Sequence, residues 1–184
     1  MLLKLIVTAP PVLFLAVLFI GGSLFRKRNI DMDGVPPIHR ALFLSSKYAI
    51  VFLWAAMVMQ IWSVNLAFFE IPNYIRTISL IFWFAGFFLL FLGRLGMGRS
   101  FRIGSPKENT TLKQDGLFAF CRNPMYLGVF STLLASILYT LNPIILLIAL
   151  FIVHHKIVIA KEKYLQELFG EQYLLYCKKV RRYI

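Results

Sequence analysis

Between Leu3 and Phe25 the chain carries one charged side chain, Lys4, and runs nearly as apolar recur over 45–69, 74–93, 124–140 and 143–159. Runs of this kind approach the ~20 residues an α-helix needs to cross a bilayer. A water-soluble domain of 184 residues has too little interior to hide them, because 59% of the residues are hydrophobic, 16% are aromatic and the mean hydropathy is +0.74. The fold expected is an all-α integral membrane protein of about five transmembrane helices, forming one membrane domain over residues 1–184.

The spacing predicts three N-terminal spans within residues 1–93, the first kinked at Pro10 and Pro11, whose rings remove backbone donors. A basic cluster follows the first run rather than preceding it, and no small-residue cleavage site is evident, so an uncleaved span is expected there. The fourth and fifth runs are separated by Leu141-Asn142-Pro143, a turn signal that predicts an antiparallel hairpin with slightly short arms. Gly170 is expected to break the last helix, and the stretch beyond it, with Tyr173, Tyr176 and several cations, reads as an interfacial helix.

The net charge of +12 raises nucleic acid as a partner, but the cations sit where they would meet headgroups of membrane lipids. They gather in alternate loops: Arg26, Lys27, Arg28 and Arg40 in the first, Arg94 to Arg122 in the third, and Lys156 to Arg182 in the tail. The intervening loops hold only Arg76, which predicts an external N-terminus and cytoplasmic basic loops in the plasma or inner membrane. No nucleic acid is expected as a partner. No metal is expected either: Cys121 and Cys177 form no zinc pattern, and His154 and His155, being adjacent, point about 100° apart on a helix. The glycines of "GRLGMG" follow no strand and are assigned to close helix packing, and Gln60 and Asn65 to hydrogen bonding between helices.

Two polar features interrupt the apolar pattern. Arg122-Asn123-Pro124 opens the fourth run; Asn as N-cap, Pro at the first helical position and a snorkelling Arg explain it structurally. A helix N-terminus beside a guanidinium is equally a seat for a carboxylate. Glu162 lies just past the fifth run, either in a solvated salt bridge with its lysine neighbours or turned toward the base of the fourth helix. The second arrangement would make a zwitterion-shaped pocket with Arg122.

The segments "TTLKQDGLFAFCRNPMYLG" and "EKYLQELFGEQYLLY" together resemble the prokaryotic isoprenylcysteine carboxyl methyltransferase family, relatives of phospholipid N-methyltransferases, over about Gly96 to Tyr176. The resemblance implies S-adenosyl-L-methionine as cofactor, in a cytoplasm-facing pocket, and a lipidic or prenylated acceptor. It implies cofactor contacts at Gly116, Leu117, Arg122, Asn123, Pro124, Tyr126 and Glu162, with Arg122 and Glu162 central to catalysis. Asn123 replaces the family's His, Lys161 replaces the first of two Glu, and Ile157 stands where an Arg holds the substrate carboxylate. That contact is expected from Lys156 or Lys179, with His155 close by; otherwise the acceptor is no carboxylate. An amine acceptor, a sterol-type reductase using a nicotinamide cofactor, and a non-catalytic membrane protein are the alternatives.

Overall fold

The computed structural model describes residues 1–27, 34–67, 69–105, 111–140 and 144–183, apart from the side chains at 99 and 144–149. Its helices are α1 (Leu2–Lys27), α2 (Arg40–Ile61), α3 (Asn73–Met97), α4 (Pro124–Thr140) and α5 (Ile144–Lys179), with short 3₁₀ turns at Gly98–Ser100 and Gly116–Ala119. The protein is an all-α integral membrane protein. Helices α1, α2 and α3 are each long and apolar enough to cross a bilayer. The 17 residues of α4 reach only about 25 Å, short of a ~30 Å hydrocarbon core. The Leu141–Pro143 turn lies outside the described residues, as do Arg28 and Lys107 of the basic loops.

Helix α1 runs through Pro10 and Pro11 without interruption. Helix α2 starts earlier than the hydropathy suggests and ends at Ile61, because Ser63 turns the chain at φ 73 and Gln60 Oε1 accepts the Leu66 N–H at 2.6 Å. Asn65 Oδ1 accepts from the Ala67 N–H in the same turn. Gln60 and Asn65 therefore shape a helix end rather than bridging helices, a correction that follows from α2 being shorter than the apolar run.

Helices α3 and α4 cross in backbone contact. A Cβ on Gly86 would lie 2.8 Å from the Gly128 carbonyl oxygen, and one on Gly128 would lie 2.7 Å from that of Gly86. Two serines cross the same interface, Ser79 Oγ donating to Ala135 O and Ser131 Oγ to Phe82 O, both at 2.7 Å. Small residues and hydroxyls are what hold helices together where lipid removes the hydrophobic drive. Of the "GRLGMG" glycines, Gly93 fits the packing role, since a Cβ there would run into the Met125 side chain; Gly98 instead ends α3 at φ +49. An aromatic cluster of Phe14, Trp54, Trp83 and Phe87 ties α1, α2 and α3 together. Phe130 of α4 stacks on Phe151 of α5 at 4.0 Å.

Both long loops and the tail meet at one end of the bundle. Val35 and Ser105 exchange backbone hydrogen bonds of 2.8 and 2.7 Å, joining the first and third loops. Gly170 (φ 51, ψ −125) breaks α5, as its position in the sequence predicts, and the segment beyond it turns Tyr173, Tyr176 and Val180 inward.

Candidate active site

The site forms where α4 begins. Gly116 at φ +58 starts the 3₁₀ turn that buries Phe118, whose carbonyl accepts the Tyr176 hydroxyl from the tail. The chain then passes through Cys121, Arg122 and Asn123 into Pro124, which takes the first helical position where no N–H is needed. The Arg122 N–H donates to the Arg181 carbonyl at 3.0 Å, and Cys121 Sγ lies 3.5 Å from the Arg182 carbonyl. The tail thus folds back along the entry to α4.

Glu162, only 7% exposed, is the anion at the centre of this arrangement. Its Oε1 accepts from Asn123 Nδ2 at 2.8 Å and lies 3.6 Å from Arg122 Nη2, while Oε2 accepts from Arg182 Nε at 2.9 Å. Arg122 and Glu162 therefore come together, directly paired rather than facing each other across a gap. Burial alone would lower the Arg122 guanidinium, but Glu162, Cys177 and Tyr173 beside it hold it above its ordinary value. It also donates to Cys177 Sγ. Burial pushes the Cys121 thiol up despite the Asn123 backbone and Arg122, so it remains protonated.

Beside this cluster lies a cavity of about 310 Å³, at the lower end of the ~300–1,000 Å³ typical of small-molecule sites. Arg122, Asn123, Pro124 and Tyr126 line its polar end, and Phe14, Leu18, Ile50 and Trp54 continue it between α1 and α2. His154 and Lys161 of α5, Lys47 of α2, Phe101 to Ser105 of the third loop and Tyr173 and Tyr176 of the tail also line it. Lys161 Nζ sits 5.7 Å from the Tyr126 ring centroid and 3.5 Å from the Arg102 carbonyl.

Of the residues singled out from the sequence, Arg122, Asn123, Pro124 and Tyr126 border the cavity. Glu162 touches the cluster from behind, and Gly116 and Leu117 support the turn that presents it without lining the cavity. His155 shares a 2.8 Å hydrogen bond with the Tyr183 hydroxyl, and Lys156 and Lys179 are exposed; none of the three lines the cavity. Lys47 and Arg182 are the functional candidates that sequence reasoning passed over. A signal existed for Lys47, an ionisable side chain within an apolar run. None existed for Arg182, one cation among many in the tail.

The sequence model of a family described as phospholipid methyltransferase matches residues 55–172, well over half of the chain. The chain belongs to the phospholipid methyltransferase family. Comparison with curated proteins and with solved structures gave no significant match. The stretch shared with the phospholipid methyltransferases begins in α2 and takes in the Arg122 cluster, the α3–α4 crossing and Glu162. Lys47, Tyr173, Tyr176 and Arg182 fall outside it.

The cavity suits the cofactor that methyltransferases use. Arg122 Nε and Ser105 Oγ are buried on its wall with no hydrogen-bond partner among the described residues. Buried polar atoms are costly to leave unpaired, and a ligand rich in carboxylate, hydroxyl and ring nitrogen could satisfy them.

Proposed function

We propose that the protein is a membrane-embedded methyltransferase that uses S-adenosyl-L-methionine to methylate an amphipathic acceptor drawn sideways from the bilayer. One observation carries this reading: a single cavity joins the Arg122–Asn123 cluster to an apolar trough between α1 and α2. A water-soluble ligand can enter at the first end, and a lipid chain can lie in the second.

In this reading Arg122, at the N-terminus of α4, would hold the cofactor carboxylate. Asn123, Pro124 and Tyr126 shape the wall beside it, with Gly116 and Leu117 supporting them. Glu162, which does not itself line the cavity, would hold the ammonium only by exchanging its Arg182 contact for it. The cofactor, when bound, supplies a methyl group whose C–S bond breaks as the acceptor atom forms the new bond in line. What the chain adds is alignment and exclusion of water by Phe14, Trp54 and Tyr126. In this reading the site faces the cytoplasm and the N-terminus lies outside, which the concentration of cations at the loop end supports.

The acceptor we favour is a carboxylate on an isoprenylcysteine-like or other lipidic molecule, which is already ionised and needs no base. Methylation of a phospholipid amine is the second reading, favoured by the family match itself. Purified protein should bind S-adenosylhomocysteine in calorimetry, and Glu162→Gln should weaken that binding about ten-fold, as loss of one charge-assisted hydrogen bond does. Binding of NADPH instead would point to a reductase, and binding of neither to a protein without catalysis. With labelled methyl donor and membrane extract, label released by mild base as methanol indicates an ester; base-stable label indicates an amine product.

A further inference from the structure

Of the histidines in the chain, His39 is exposed ahead of α2 and His155 is tied to the Tyr183 hydroxyl away from the cavity. His154 is different. It is 3% exposed, and it lies on the cavity wall. Its Nδ1 is 2.7 Å from the Leu150 carbonyl oxygen, one turn back along α5. A carbonyl oxygen only accepts, so Nδ1 carries the ring proton. The neutral ring then has its lone pair on Nε2, the outer nitrogen, which takes up no hydrogen bond among the described residues. No carboxylate lines the cavity among those residues to hold a second proton on the ring.

The place of this nitrogen in the fold bears on what it meets. Along α5 His154 comes two turns before Glu162, a rise of about 12 Å away from the loop end. It shares the cavity there with Ile50, Val51 and Trp54 of α2 and Val129 of α4. One turn further on, Leu150 packs with Leu53 and Leu133 in an apolar cluster. The cations Arg102, Lys113, Arg122 and Lys161 line the same cavity from the third loop, the α4 entry and the later part of α5. A basic nitrogen thus stands where the polar end gives way to the trough. An orphan lone pair in such surroundings calls for a hydrogen-bond donor on the ligand, because a buried polar atom is costly to leave unpaired. A carboxylate has no donor to offer, whereas an amine head has.

We infer that His154 is a general base, and that it gives this cavity a further activity, methylation of amine-headed lipids beside the carboxylates favoured above. The inference rests on the methyltransferase reading. An ammonium nitrogen has no lone pair, so it must lose a proton before it can accept a methyl group. That proton passes to His154 Nε2. The lone pair so freed forms the bond to the methyl carbon as the carbon–sulfur bond breaks, whose electron pair stays on sulfur. The product leaves as a methylated ammonium, and the ring returns its proton to water. A carboxylate head, already ionised, makes no use of this step.

The test uses the full chain in uncharged detergent at neutral pH, with labelled S-adenosyl-L-methionine and two acceptors. Oleylamine is an ammonium at that pH; para-dodecylaniline is uncharged and needs no base. His154→Gln should lower kcat for oleylamine at least about a hundred-fold and leave the aniline within about three-fold of the unsubstituted protein. Equal losses with both acceptors show a structural role and overturn the base, as does an undiminished rate with oleylamine. A second readout needs no turnover. In nitrogen NMR of protein carrying isotope-labelled histidine, the His154 ring is the one whose signals vanish in the variant. It should show hydrogen on Nδ1 and none on Nε2, and oleylamine should move Nε2 toward its protonated position. Hydrogen on Nε2 in the free protein, or no response to oleylamine, overturns the proposal. Calorimetry with S-adenosylhomocysteine separates the two levels. If it binds and oleylamine is not methylated, the base falls and the methyltransferase reading stands; if it does not bind, both fall.

Discussion

Lys161 is the residue whose surroundings differ most from what its sequence position suggests. It lies just beyond the apolar half of α5, and burial, followed by the charge of Lys47, brings it down to about 7. The Arg102 carbonyl approaches it from the third loop and Tyr126 from α4; Lys47 of α2 lines the same cavity, as do His154 and Tyr164 of its own helix. An anion binds the charged form, so raising the pH through this value removes the form that binds. Affinity for oleate, a lipid with the carboxylate head favoured above for the acceptor, should therefore fall several-fold between about pH 6 and about pH 8.5 in a binding titration. Lys161→Arg, whose guanidinium stays charged, should flatten that profile. A second expectation concerns Arg182, which holds Glu162 Oε2 at 2.9 Å. Arg182→Gln should tighten S-adenosylhomocysteine several-fold in calorimetry, because the ligand ammonium no longer competes with a guanidinium. Arg122 and Asn123 were legible in the sequence because cap chemistry and an adjacent cation are local signals. Arg182 was not, since its role depends on a tail returning across 59 residues to Asn123.

At the scale of helices, the α3–α4 crossing organises the site more than the α4–α5 pair that the short turn between them advertises. Gly86 and Gly128 let the two backbones touch, which fixes the height and tilt of α4 and thus where Arg122 and Asn123 point. Gly128→Val would drive its Cβ into the Gly86 carbonyl at 2.7 Å. That overpacking should cost about 1–3 kcal/mol, read as a lowered midpoint of thermal unfolding in detergent, with ligand affinity falling alongside. Existence and order of the helices could be read from apolar runs, because hydropathy reports burial in lipid or protein alike. The end of α2 could not, because apolar residues such as Leu66 and Ala67 continue past Ile61 and only Ser63 and Gln60 mark the turn. Partner choice among helices escaped for a related reason: a glycine in an apolar run does not declare which neighbour it faces.

Across the whole molecule, the described loops and the tail converge at one end, where Val35 pairs with Ser105 and Arg122 with Arg181. Alternation of basic and neutral loops anticipated this convergence, since loops two spans apart must share a side. What the alternation could not give is depth, and the cavity's continuation between α1 and α2 appears only once Phe14, Ile50 and Trp54 are placed. The return of the tail also bears on how the chain is made. Residues at the mouth of α4 leave the ribosome long before the strap that covers them, so the membrane helices can assemble while the ligand seat is still unfinished. A nascent chain halted ahead of Arg181 would be inserted yet lack the hydrogen bond that ties the tail to Arg122, so the entry to α4 would be closed over late, after translation of the tail.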